Sequence, residues 1–127
     1  MTFAQTIEKH LSAIRDRNLP ALIETLPDED DMLLIMSDGR MVHSVREFVE
    51  LHRDWFASTT WSIDAEPVHT IETPDLGIAV LCLDYRDTPK DAAPIRENSL
   101  LTLVFARRGQ HWVIVQDQNT PIRSGLS

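Results

Sequence analysis

The chain has one cysteine, Cys82, among 127 residues, so it contains no internal disulfide framework. Set in the apolar run Val80-Leu81-Cys82-Leu83, that thiol reads as a small core residue of a reducing compartment, since a nucleophile would need a basic neighbour. Basic residues are the next shortage: 12 Lys+Arg stand against 20 Asp+Glu, a net charge of −8. Nucleic-acid backbones and anionic membrane surfaces repel such a molecule, so neither is an expected partner. No apolar run approaches the ~20 residues that cross a bilayer. No basic-then-apolar leader opens the chain either, and the cytoplasm is the expected location. A Gly-rich phosphate loop and a Gly-x-Ser-x-Gly elbow are both missing, which removes nucleotide cofactors and serine hydrolysis.

Metal chemistry has no sequence support. The histidines at positions 10, 43, 52, 69 and 111 never place two on one helical turn or on alternate strand positions. Asp28-Glu29-Asp30-Asp31 begins like a calcium loop, but Met32 and Leu33 take a ligand position and the glycine position, and Gly39 stands where a bidentate Glu belongs. It reads as a solvated loop, and no cofactor of any kind is expected.

What is present is globular: 43% apolar and 25% charged residues, enough for one core and one pocket in a single domain over residues 1–127. Thr2-Phe3-Ala4-Gln5 is a capping box that opens a helix with Phe3, Ile7, Leu11 and Ile14 on one side and Glu8, Lys9, Arg15 and Asp16 on the other. Asn18-Leu19-Pro20 breaks it and caps a short second helix. Met32 to Ser37 and Arg40 to His43 flank Asp38-Gly39, a hairpin signal. Ser44-Val45-Arg46-Glu47 opens a third helix whose apolar stripe runs Phe48, His52, Trp55, Phe56. Strand patterning then covers Trp61 to Ile71, Gly77 to Arg86, Ile95 to Arg107 and His111 to Asn119. Helices first and long strands after imply α+β with a curved antiparallel sheet, closed into a cone by three N-terminal helices.

This order of elements resembles the superfamily of nuclear transport factor 2, ketosteroid isomerase, the SnoaL-like polyketide cyclases and the association (hub) domain of calmodulin-dependent kinase II. His52-Arg53, Phe56 and Trp61 resemble the third-helix segment of the hub domain. Val104-Phe105-Ala106-Arg107-Arg108-Gly109-Gln110-His111-Trp112, Val115 and Asn119-Thr120-Pro121 resemble the closing hairpin of SnoaL-like and hub domains. The fold hosts isomerases, dehydratases, cyclases and silent oligomerisation modules, so chemistry has to be argued from side chains.

In the last strand, Trp112, Ile114, Gln116 and Gln118 share one face by parity, and Val113, Val115, Asp117 and Asn119 the other. The resemblance places the position of Asn119 in a pocket, which aims the odd-numbered face inward. Asp117 on that wall becomes a stronger base or a neutral donor by desolvation; otherwise it is a structural carboxylate at a dimer face. His52 is a core histidine bonded to a carbonyl or, as the resemblance implies, a pocket residue. Together His52 and Asp117 are the candidate catalytic acid and base. Trp55, Trp61 and Tyr85 are candidate ligand walls, with plain core packing as the alternative. Leu103 and Asn119 match positions that are basic in the hub pocket, so the resemblance implies a neutral-to-acidic, apolar site here. No tyrosine on the first helix reproduces the isomerase oxyanion site.

The reading is a small-molecule-binding domain, an isomerase, cyclase or dehydratase acting on a small apolar carbonyl compound, or a non-catalytic ligand-binding or oligomerisation module. A protein-interaction domain is a third possibility. A homodimer is expected through the outer sheet face, with Leu100 and Ile114 among its apolar members.

Overall fold

A computed structural model describes residues 1–122; residues 123–127, the end of the expected domain, lie outside it. The first helix, α1 (Phe3–Arg15), forms where the capping box predicts, with both halves made: Gln5 N–H donates to Thr2 Oγ1 at 3.1 Å and Thr2 N–H to Gln5 Oε1 at 2.9 Å. Its end is a Schellman turn, with Asn18 N–H on the Ala13 carbonyl at 2.8 Å and Arg17 N–H on that of Ile14 at 3.1 Å. Arg17 takes the left-handed conformation there, φ 53°, a cost of roughly 1–2 kcal/mol for a residue with a side chain. Its guanidinium offsets that cost by bonding the carbonyls of Ser58 and Trp61 and lying 4.2 Å from the Trp61 ring centroid. Asn18 then caps α2 (Leu19–Ile23).

The strands β1 (Leu33–Ile35) and β2 (Met41–Val42) make the expected hairpin. Its loop is Ser37-Asp38-Gly39 rather than two residues: Gly39 N–H bonds the Met36 carbonyl and Gly39 adopts φ 90°, the turn-plus-bulge arrangement. Next comes α3 (Val45–Phe56), capped by Ser44. The acidic loop is not purely solvated, because Asp30 Oδ1 accepts from Arg46 N–H at 2.9 Å and so ties that loop to the start of α3.

Four long strands follow: β3 (Trp61–Glu72), β4 (Leu76–Asp87), β5 (Ile95–Arg108) and β6 (His111–Pro121). The sheet order is β2-β1-β6-β5-β4-β3. The expected all-antiparallel sheet is corrected at one place: β1 runs parallel to β6, Leu34 opposite Asp117, which makes the sheet mixed. A three-residue strand carries no directional signal, and its hairpin partner β2 takes the outer edge.

Two bulges bend the long strands, at Val68 in β3 and at Val115 opposite Val104 and Phe105. The second corrects the parity reading of β6. One extra residue returns Ile114 to the same side as Asp117, so Ile114 is fully buried against Phe105 in the core and is no part of the outer face. Leu100 stays outside, half-buried, beside Cys82.

The helices lie on the concave face, and one continuous core joins α1, α3 and the inward rows of β3 to β6. Phe3 fills its end, 5.2 Å from both Phe105 and Trp112 by ring centroids, lying directly over Gly77. His10 is wholly buried about two turns further along the inner side of α1. Because Thr25 donates its hydroxyl proton to the Leu22 carbonyl at 2.7 Å, it accepts from His10 Nδ1–H at 2.9 Å, and His10 Nε2 is left buried without a partner among the described residues. Burial, then the neighbouring His52, lowers the His10 pKa from 6.5 to about 3. A depressed imidazole leaves the folded state with fewer bound protons, so its stability is intact above the unfolded pKa and falls as pH drops from 6.5 toward 3. Acidification to about pH 5 is expected to cost about 2 kcal/mol through His10 alone. His10→Gln, neutral at every pH, should flatten that acid limb in urea titrations followed by circular dichroism.

Candidate functional site

Between α1, α3 and the concave sheet lies a cavity of about 330 Å³. Leu11 and Ile14 supply its α1 wall, Trp55 its α3 wall, and Ile63, Leu83 and Leu101 its sheet floor. Into this apolar box project His52, Asp117 and Asn119, while Arg15, Met36 and Ser37 edge it. An adjoining recess shares Trp55, Ile63, Leu83 and Asn119 as a common wall and adds Tyr85.

His52 faces inward because it continues the α3 stripe one turn after fully buried Phe48, on whose ring it stacks at 4.1 Å. Its Nδ1 lies 2.8 Å from the Phe48 carbonyl oxygen. A carbonyl only accepts, so the proton sits on Nδ1 and Nε2 keeps its lone pair. Burial lowers the His52 pKa, opposed by that hydrogen bond, and the ring is neutral near pH 7.

Asp117 owes its inward aim to the Val115 bulge and is 5% exposed. Its neighbours across the sheet are Leu103 on β5 and Leu34 on β1. Desolvation between them raises its pKa from 3.8 to about 7, against the stabilising hydrogen bond from Asn119. Asn119 Nδ2 donates to Asp117 Oδ1 at 3.1 Å and to the Ile35 carbonyl at 3.4 Å, which fixes the orientation of its amide. Asp117 Oδ2 has no hydrogen-bond partner among the described residues and is not sealed off, so it is open to the cavity. The cavity therefore combines a neutral imidazole with a bare nitrogen and a carboxyl poised to hold or release its proton near neutrality, the two properties proton transfer requires.

A family model described as a SnoaL-like domain matches residues 4–122. The chain belongs to the SnoaL-like family. Its fold is that of the nuclear transport factor 2-like cone. Among similar solved structures is a protein of Thiobacillus denitrificans described as a calcium/calmodulin-dependent protein kinase type II association domain, at TM-score 0.81 and 19% identity, covering 96% of each chain. A ketosteroid isomerase-like protein of Erwinia carotovora atroseptica matches at TM-score 0.79 and 15% identity, over 94% of this chain and 93% of that one. A protein described as a dehydratase of the same superfamily, from Streptomyces avermitilis, matches at TM-score 0.78 and 13% identity, over 95% and 94%. At these identities the likeness speaks for the fold. No curated protein matches the chain.

This SnoaL-like domain brings His52, Asp117, Asn119 and Trp55 to one cavity, but not every residue expected there. Trp61 is 2% exposed and stacks behind Trp55, 4.1 Å away at 15°, so it backs the wall instead of lining it. Leu103 is wholly buried beneath the floor, one row deeper than Leu101, which does line it. Tyr85 shares the inward parity of Leu81 and Leu83, yet belongs to the outer recess, where its hydroxyl donates to Asp87 Oδ2 at 3.2 Å. Arg15 was missed: the helical wheel sets it with the solvent residues, but as the last residue of α1 it extends along the cavity edge, 3.8 Å from Glu8 Oε1.

Proposed function

We propose that this SnoaL-like protein binds a small apolar molecule in the cavity and moves a proton on it, as an isomerase, cyclase or dehydratase does. The observation that carries the reading is the shared enclosure of His52, with Nε2 unprotonated, and Asp117, with its carboxyl able to hold a proton near pH 7. In the isomerase form of the step, His52 Nε2 takes a proton from the carbon beside a carbonyl. The freed electron pair becomes a carbon–carbon double bond, and the carbonyl oxygen takes the proton of Asp117. Where an alkene adjoins that carbon, return of the proton from His52 to the far alkene carbon, and of the enol proton to Asp117, moves the double bond into conjugation with the carbonyl and restores both groups. A non-catalytic ligand-binding module is the second reading. It is favoured by the cavity having, among the described residues, no deep donor beside Asp117 to hold a negative oxygen.

The unit proposed is one domain over residues 1–127, paired with a second copy through the outer sheet face, where Ile78, Val80, Leu100 and Val104 are half-buried in the lone protomer. A cytoplasmic location fits the single cysteine. Native mass spectrometry of freshly purified protein reads both the copy number and any retained small molecule. For catalysis, a cyclic β-hydroxy ketone in heavy water should gain deuterium beside its carbonyl with the native protein and lose that gain with His52→Gln. Binding without exchange would overturn the catalytic reading in favour of the second.

A further inference from the structure

Apart from the carboxyl proton of Asp117, the polar groups around the cavity have spent their protons. His52 gives its one proton to the Phe48 carbonyl, at 2.8 Å. Asn119 gives both amide protons away, to Asp117 Oδ1 and to the Ile35 carbonyl. The Trp61 indole N–H behind the wall goes to the Trp55 carbonyl at 3.0 Å, and the Tyr85 hydroxyl in the outer recess goes to Asp87. What these groups still present is lone pairs: His52 Nε2, Asn119 Oδ1 and Asp117 Oδ2. The Trp55 indole N–H is turned to the Tyr85 hydroxyl oxygen, and the other side-chain donors of the lining, Arg15 and Ser37, are exposed at the edge, where water serves them.

We propose that the cavity selects an apolar molecule whose polar head donates hydrogen bonds, an alcohol or an amine, over one whose head only accepts, a ketone or a carboxylate. The inference rests on the reading of the cavity as a ligand site and specifies which ligands it takes. Once Asp117 is ionised, a donating head meets three acceptors within one apolar box, whereas a carbonyl oxygen finds no deep donor among the described residues and is buried unpaired. A carboxylate fares worse, since it also meets the charge of Asp117 whenever that group is ionised. The selection has the form of a site built to bond an O–H or N–H, which rejects analogues lacking it far more sharply than it rejects a change of apolar shape. A carbonyl-bearing substrate is then held well only if it carries such a head in addition.

The test is a matched set on one apolar body: menthol, menthylamine, menthone and menthane carboxylate. Binding to the full chain is read by tryptophan fluorescence, since Trp55 lines the cavity. At about pH 8, where Asp117 is mostly ionised, menthol or menthylamine should bind at least about tenfold more tightly than menthone and the carboxylate. Which of the two binds tighter identifies the head. In Asp117→Asn, the new amide N–H offers a donor where Oδ2 stood, and the gap between menthol and menthone should narrow. Menthone or the carboxylate binding as tightly as both donors would overturn the inference while leaving the cavity a ligand site. Failure of all four to bind would overturn the ligand site and the inference together.

Discussion

Asp117→Asn is expected to make the protein more stable at about pH 8 and to abolish proton transfer. The carboxyl has a folded pKa of about 7 against an ordinary 3.8, raised first by desolvation. A raised folded pKa means stability that is fully present below the unfolded value and lost as pH rises through the folded one. At about pH 8 the folded state therefore carries a penalty of about 4 kcal/mol for ionising a group that is 5% exposed. Asparagine has the same shape, keeps an oxygen for the Asn119 amide and never ionises, so the penalty disappears. The melting temperature should rise by about 10 °C at pH 8 and barely change near pH 4, where the native carboxyl is already protonated. A catalytic group kept at a cost to stability behaves in this way, whereas a structural carboxylate does the opposite. A fall in melting temperature at pH 8, read by circular dichroism, would make Asp117 a structural residue and remove it from the mechanism.

Gly77→Ala should destabilise the protein by about 3 to 4 kcal/mol, a loss of about 10 °C. Gly77 does not adopt a positive φ, so the effect is steric. A methyl group built there lies 2.6 Å from Phe3 Cζ and 2.8 Å from Cδ1. Phe3 has no free space to move into, because its ring is wedged between Phe105 and Trp112 and is 3% exposed. Either the ring leaves its slot, forfeiting burial that is worth a few kcal/mol for an aromatic side chain, or α1 lifts from the sheet. Pairing Gly77→Ala with Phe3→Ala should cost clearly less than the two single changes added together, since the clash vanishes with the ring. Full additivity in chemical denaturation would place the damage elsewhere.

Most of the fold was legible because its signals are local. Thr2, Asn18 and Ser44 start the three helices as their side chains dictate, and the four long strands fall within a residue or two of where the patterning puts them. The inward aim of His52 followed from helical spacing in the same way. What stayed hidden depends on events between strands. The parallel pairing of β1 with β6 leaves no trace in a three-residue run. The Val115 bulge inverts the parity of Trp112 and Ile114 relative to Asp117, and no residue in the strand announces it. Depth was equally invisible: Leu101 and Leu103 share a face, yet only the former reaches the cavity. The reach of Arg15 depends on where α1 stops, and its place on the helical wheel does not report that.

The parallel pairing also has a consequence for how the chain is made. Leu34 meets Asp117 in the finished sheet, so the early hairpin has no strand of the sheet to pair with until β6 has left the ribosome. The proton-bearing carboxyl thus arrives on the strand that completes assembly. Closing so long a loop delays the final step, and a nascent chain cut short before that strand would expose both the orphaned hairpin and the open hollow to chaperones.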